Sequence, residues 1–175
     1  QPQRVIGYHR TKAFLDIVFH VIDASGATIA SVEAHRNVIV AVCELKLPDP
    51  KDSTPVDLPP PCHPEAFTSL VEFCYTGKCT VADYLIVPFI ETAAYCRAHS
   101  AIASAFKAFE PHVNAANCLE ILACARRLRL HESLTKAAET CVRAHFEEVR
   151  MRRQFLQIDG TFMHSLVADP CLGKR

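Results

Sequence analysis

The sequence has little of what usually signals chemistry. It contains only five glycines in 175 residues and no glycine-rich loop of the kind that cradles phosphates. It has no Gly-x-Ser-x-Gly elbow and no Cys–His signature of nucleophilic catalysis. Cys-x2-Cys pairs are missing as well, although structural zinc generally takes four ligands from closely spaced pairs. Net charge is zero, with 19 basic side chains balancing 19 acidic ones. The two signs are mixed along the chain, so charge gives no reason to expect nucleic acid or an anionic membrane as the main partner. No apolar run reaches bilayer-spanning length, and no signal peptide is visible.

Cysteine, in contrast, is plentiful. There are nine, an odd number, and in a chain of this length that argues against a secreted disulfide scaffold. Cys74, Cys118 and Cys141 fall on apolar helical stripes, where a reduced thiol acts as a small hydrophobe. The composition therefore predicts reduced cysteines in the cytoplasm or nucleus, with no metal and no cofactor. Half of the residues are apolar, enough to build one core or two small ones.

Along 14–22 the residues alternate, with Leu15, Ile17, Phe19 and Val21 on one side and Asp16, Val18 and His20 on the other, which predicts a strand. The turn Ala24-Ser25-Gly26 leads into a second strand over 28–33, giving a hairpin. By propensity, 34–43 is ambiguous between strand and helix. Prolines exclude a helix of any length between Glu44 and Val56, while Val56-Asp57-Leu58 reads as a short strand. A helix should open near Pro64, carry Phe67, Leu70, Val71 and Cys74 on one face, and stop at Gly77. Cys79-Thr80-Val81 reads as a short extended piece. Pro88 belongs in the first turn of the next helix, which carries Phe89, Ile90, Ala93, Ala94 and Cys96.

The last third reads as helical throughout. Asn117 and Glu120 have the spacing of a capping box, followed by a stripe of Cys118, Ile121, Leu122, Ala125 and Leu128. Ser133 is placed to cap a further helix with Leu134, Ala138, Cys141, His145 and Val149 on its inner face. A weaker segment over 155–167 is interrupted by Gly160. The predicted fold class is α+β, a small sheet flanked by helices and followed by an all-helical part.

Phe14-Leu15-Asp16-Ile17-Val18-Phe19, Ala34-His35-Arg36-Asn37-Val38-Ile39 and Phe73-Cys74-Tyr75-Thr76-Gly77 together resemble the BTB (POZ) family. They correspond to its first core strand, its first core helix, and the helix end that precedes a short strand. The resemblance implies that 34–43 begins a helix. Further on, Asn117-Cys118-Leu119, His145-Phe146-Glu147-Glu148-Val149 and Phe155-Leu156 resemble landmarks of the BACK domain. The implied organisation is a BTB/POZ domain at 1–110 and the N-terminal part of a BACK domain at 111–175. That pairing is similar to Kelch-type substrate adaptors of cullin-three RING ubiquitin ligases. It implies a non-catalytic homodimer that binds the cullin-three scaffold and reaches its substrate through a domain outside this chain. A dimerisation and recruitment module of the transcription-regulator type, without cullin binding, is the alternative.

By the same resemblance, Val5, Ile6, Phe14, Leu15, Asp16, His35 and Asn37 are dimer-interface positions. Tyr95, His99, Phe109, Val113 and Leu119 lie toward the cullin. One departure stands out. After Val42 the chain passes directly to Leu45-Lys46-Leu47-Pro48, where the family carries further helices, the last with the hydrophobic-x-acidic motif that contacts cullin.

The remaining polar clusters have bland readings. Cys96 with His99 and Cys141 with His145 have ligand-like helical spacing, but core packing outweighs zinc at both. Asp16 and His35 suggest a dyad, yet a buried aspartate satisfied by a cation or backbone donors is the commoner meaning. Arg126-Arg127-Arg129 and Arg150-Arg152-Arg153 sit at helix ends without interleaved aromatics, which favours a solvated face over a nucleic-acid site.

Overall fold

A computed structural model describes residues 15–129 and 132–169. The chain is mixed α+β, with a three-stranded sheet and helices. It divides into two compact units between Ala105 and Phe106. Among the described residues no helix is long and apolar enough to cross a membrane.

The first unit is organised by a hairpin. Strand β1, Ile17–Ile22, alternates buried and half-buried residues, so Ile17, Phe19 and Val21 point into the core. It pairs antiparallel with β2, Thr28–Ala34, placing Phe19 opposite Val32 and Val21 opposite Ala30. The connecting turn is an aspartate turn rather than one that depends on glycine alone. The Asp23 carboxylate accepts the N–H groups of Ser25 (2.8 Å) and Ala27 (3.0 Å) together with the Ser25 hydroxyl. Those bonds, the hydroxyl's first, hold the carboxyl below the usual aspartate range. The short strand β3, Val56–Leu58, pairs parallel with β1, giving the order β2-β1-β3.

Between β2 and β3 the chain forms helix α1, Arg36–Val40. The segment that propensity leaves ambiguous is therefore helical, though for barely more than one turn. No helix occurs from Cys43 to Pro55. Helix α2, Pro64–Thr76, buries Ala66, Phe67, Leu70, Val71 and Phe73. Its Phe67 ring meets Phe19 of β1 at a centroid distance of 5.1 Å, a geometry worth about 0.5–1.5 kcal/mol beyond area burial. Gly77 ends α2 at φ 66°, and its N–H returns to the Phe73 carbonyl. Cys79-Thr80-Val81 joins no strand. Helix α3, Ile86–Tyr95, has Pro88 in its first turn and packs Phe89, Ile90 and Ala93 inward. Helix α4, His99–Phe109, follows.

The second unit takes in the last residues of α4 from Phe106, then a 3-10 turn, Glu110–His112, and α5, Cys118–Arg127. The buried stripe of α5 is wider than its periodicity suggests, adding Leu119 and Cys124 to Cys118, Ile121, Leu122 and Ala125. Asn117 is the residue before the helix, but it makes no capping hydrogen bond. Its amide instead points back toward the preceding turn. The oxygen accepts from the Asn114 N–H at 2.8 Å, and the nitrogen donates to the His112 carbonyl at 3.0 Å. Glu120, released from a capping box, accepts from Gln154. Helix α6, Glu132–Ala144, starts before Ser133, so Ser133 lies inside it rather than capping it.

The helix expected to run through Val149 instead breaks at His145 (φ −114°). A separate turn of helix follows, α7, Phe146–Val149. Val149 is buried, but His145 is exposed, and Val142 takes the inner place on α6. A 3-10 turn, Arg153–Gln157, leads to α8, Gly160–Val167. Gly160 opens that helix rather than interrupting it, and Asp159 caps it by accepting the Phe162 N–H at 2.9 Å.

The two glycines predict opposite outcomes. Gly77→Ala forces a β-carbon into the left-handed region and should lower the unfolding free energy by about 1–2 kcal/mol, seen as a fall in the urea midpoint. Gly160→Ala, at a helical position with open space around it, should leave the midpoint unchanged or raise it.

Candidate functional site

A joint in the first unit brings together the most specific segments of the sequence. Helix α1 begins after His35, which is extended and provides no side-chain cap. The first N–H groups of a helix have no partner within it. Here they are taken by side chains from elsewhere in the chain. The Asp16 carboxylate, just ahead of β1, accepts the Arg36 N–H at 2.7 Å. The Tyr75 hydroxyl, in the last turn of α2, accepts the His35 N–H at 2.8 Å. That hydroxyl also lies 2.7 Å from His35 Nδ1, and the two rings meet edge to face at 5.8 Å. Because one proton lies between Tyr75 oxygen and His35 Nδ1, the phenol donates when Nδ1 is bare and accepts when Nδ1 carries the proton. Desolvation, the largest influence, raises the Tyr75 phenol above its ordinary range, so it remains protonated at neutral pH.

The Arg36 side chain turns the other way. It donates to the Pro48 carbonyl at 2.6 Å, tethering the proline-rich loop, while its Nε is buried without a partner. Asp16, Glu33, Arg36 and Asp52 surround a polar recess of about 250 Å³.

Asp16 is exposed, not buried. The alternation of β1 explains this, since Ile17 points inward and its neighbour must point outward. Asp16 and His35 do not form a dyad, because each is engaged separately with Arg36 and Tyr75. Of the other positions assigned to a dimer surface, Val5, Ile6 and Phe14 lie outside the described residues, Leu15 is half-buried, and Asn37 is exposed on α1. Val40, three residues beyond Asn37, is 54 % exposed on the same helix. Sequence patterning missed Val40, although its spacing from Asn37 places both on one face.

The positions assigned to the cullin differ in accessibility. Tyr95 ends α3 and is 40 % exposed, and His99 opens α4 on the surface. Val113 is half-buried. Phe109 and Leu119 are buried, at 2 % and 5 % exposure, so neither offers much area to a partner. Leu119 nonetheless forms part of the wall of a groove of about 150 Å³ in the second unit, with Leu122, Ile158, Arg126 and Asp159.

The metal-like pairs do not assemble. Cys96 is buried at the end of α3 while His99 faces solvent, and Cys141 is half-buried while His145 is exposed. Among the described residues no group of three or more His, Cys, Asp or Glu is placed to hold a metal ion. The basic clusters are largely paired. Arg126 bridges Glu139 (2.6 Å) and Asp159 and lies over the Phe162 ring at 4.7 Å. Arg150 pairs with Glu147, and Arg152 with Glu148 and the Ala116 carbonyl.

The joint predicts that Tyr75→Phe, which removes the acceptor for the His35 N–H, costs about 1–2 kcal/mol of stability. Asp16→Ala should cost about 1 kcal/mol, the usual worth of a lost helix-start acceptor, and Asp16→Asn less, because an amide oxygen still accepts. Chemical denaturation of the three variants provides the check.

No protein-family model matches the sequence, and no curated protein matches it.

Proposed function

We propose that the chain is a homodimeric protein-interaction module of a substrate adaptor for a cullin-three RING ubiquitin ligase. In this reading, 1–110 is a BTB domain, 111–175 is the N-terminal part of a BACK domain, and the module itself performs no chemistry. It works in the cytoplasm or nucleus, holds a second copy of itself and the cullin scaffold, and leaves the substrate to a domain outside this chain.

The observation that carries the proposal is the joint at α1. Three segments that resemble BTB landmarks, far apart in sequence, meet there through direct hydrogen bonds from the Arg36 N–H to Asp16 and from the His35 N–H to Tyr75. The exposed Asn37 and Val40 on α1 give the proposed dimer face an apolar contact beside a polar one. In the second unit, the BACK-like segments start α5 and form α7. Their inward residues Cys118, Leu119 and Val149 are buried, as expected of landmarks kept for packing.

The dimer-only reading also has an observation in its favour. No helix lies between Cys43 and Pro55, so the family's hydrophobic-x-acidic helix has no counterpart there. An interface that loses a central anchor commonly loses about 2 kcal/mol, or about thirtyfold in affinity.

Two measurements separate the readings. Sedimentation at about tens of micromolar, where even a weak dimer forms, should show a homodimer, and a monomer would remove both readings. Calorimetry against the cullin-three amino-terminal domain should show binding weaker than that of adaptors that keep the helix. The binding should weaken further when the extreme amino terminus of the cullin is removed. A dimer that binds neither cullin form belongs to the dimer-only class.

A further inference from the structure

The loop that leads into β3 is shaped by local bonds. The Asp49 carboxylate accepts the Lys51 N–H at 2.9 Å, and the Asp49 carbonyl accepts the Asp52 N–H at 2.8 Å. The Asp52 carboxylate then accepts both the N–H (2.9 Å) and the hydroxyl of Thr54. Lys51, Asp52, Ser53 and Thr54 are all exposed, and from Asp52 to Pro55 the chain has no regular secondary structure. Pro55 follows Thr54, and nowhere else in the sequence does a serine or threonine precede a proline. Ser53 and Thr54 also line the polar recess of about 250 Å³, together with Asp16, Glu33, Arg36 and Asp52.

We propose that Thr54 is a phosphorylation site for a proline-directed protein kinase, and that its phosphoryl group opposes the carboxylates of the adjoining recess. The site does not depend on the adaptor reading above.

The proline matters for two reasons. It steers Thr54 away from helical backbone toward the extended form in which a kinase groove holds its substrate. It also has no N–H. An apolar kinase pocket that offers no acceptor at that place takes proline, whereas any other residue would bury an unsatisfied donor there. Access is the remaining requirement, and the loop meets it. The pairing of β3 with β1 starts at Val56, opposite Phe19, so a kinase that lifts Thr54 need displace only the Asp52 turn. Ser25, also exposed in a turn, is followed by Gly26 and lacks the proline. Thr68 and Thr92 are buried.

The transfer uses ATP as the phosphoryl donor. Thr54 Oγ attacks the γ-phosphorus, the new O–P bond forms, and the bond to the ADP oxygen breaks. The hydroxyl proton passes to the catalytic base of the kinase. The product can no longer donate from Oγ to Asp52, so the turn loses its hydroxyl bond. It also brings a charge of about −1.5 to −2 at neutral pH. Asp16, Glu33 and Asp52 already line the recess, against the single guanidinium of Arg36. That guanidinium is committed in part, since it donates to the Pro48 carbonyl at 2.6 Å. Repulsion therefore outweighs attraction, and the phosphorylated loop is less stable in its present form.

The test incubates the intact chain with radiolabelled ATP and a purified proline-directed kinase, then maps the label by mass spectrometry. A synthetic peptide of residues 47–60 serves as the fully accessible reference. The expected result is one phosphoryl group per chain, on Thr54, added at a rate comparable to that of the peptide. Thr54→Ala should abolish labelling and Thr54→Ser should keep it. In the peptide, Pro55→Ala should slow labelling by about tenfold or more, the range that one lost apolar contact costs an enzyme site. The phosphorylated chain should show a lower urea midpoint than the unmodified chain. The difference should narrow between about 0.1 M and about 1 M sodium chloride, as the Debye length falls from about 10 Å to about 3 Å. Label on another residue, or a peptide that is labelled while the folded chain is not, would overturn the site. An unchanged or raised midpoint in the phosphorylated chain would overturn the opposition by the recess.

Discussion

The first unit depends on how the start of one short helix is satisfied. A five-residue helix is far below the length at which helices are stable in water, because nucleation costs more than its few internal bonds return. Helix α1 also lacks the serine, threonine or aspartate that would cap it locally. It is held instead by Asp16 from the lead into β1 and by Tyr75 from the end of α2. Strand, short helix and long helix are thereby fixed relative to one another at a single point. The left-handed Gly77 then stops α2 two residues beyond Tyr75, keeping the hydroxyl within reach. Arg36 extends the joint to the proline-rich loop through Pro48.

The second unit has its own centre, around a guanidinium. Arg126 pairs with Glu139 of α6 and with Asp159, whose other oxygen caps α8. Arg126 and Arg143 both lie against the Phe162 ring, so α5, α6 and α8 share one polar and aromatic cluster. Single partly exposed ion pairs add little stability, but here the same carboxylate both pairs and caps. The position of α8 is therefore tied to its own first turn. The neighbouring groove beside Leu119 and Ile158 has one charged wall for the same reason.

Much of the fold was legible in the sequence wherever one local rule governed a segment. Period-two burial marked β1, Pro64 and Gly77 bounded α2, and Pro88 fell within the first turn of α3. Legibility failed where a local signal was outbid by a distant partner. Asn117 has the chemistry of a cap, but its amide is used by Asn114 and His112. His145 continues the stripe of α6 on paper, yet the helix breaks there and the side chain faces solvent. Arg126 read as a solvated cation at a helix end, whereas its partners Glu139 and Asp159 come from segments no local pattern connects to it. At the candidate site, Asp16, His35 and Tyr75 were each visible as parts of motifs. Their meeting was not, because sequence spacing carries no information about hydrogen bonds across 20 and 40 residues.

The most direct test of the joint is amide hydrogen exchange at His35 and Arg36, read residue by residue by NMR. Both precede the first N–H that an internal helix bond could protect, so any protection must come from Tyr75 and Asp16. The account predicts slow exchange at both amides, with protection lost first at His35 in Tyr75→Phe and first at Arg36 in Asp16→Ala. Exchange at both amides in the unaltered protein as fast as in the exposed loop around Lys51 would contradict it.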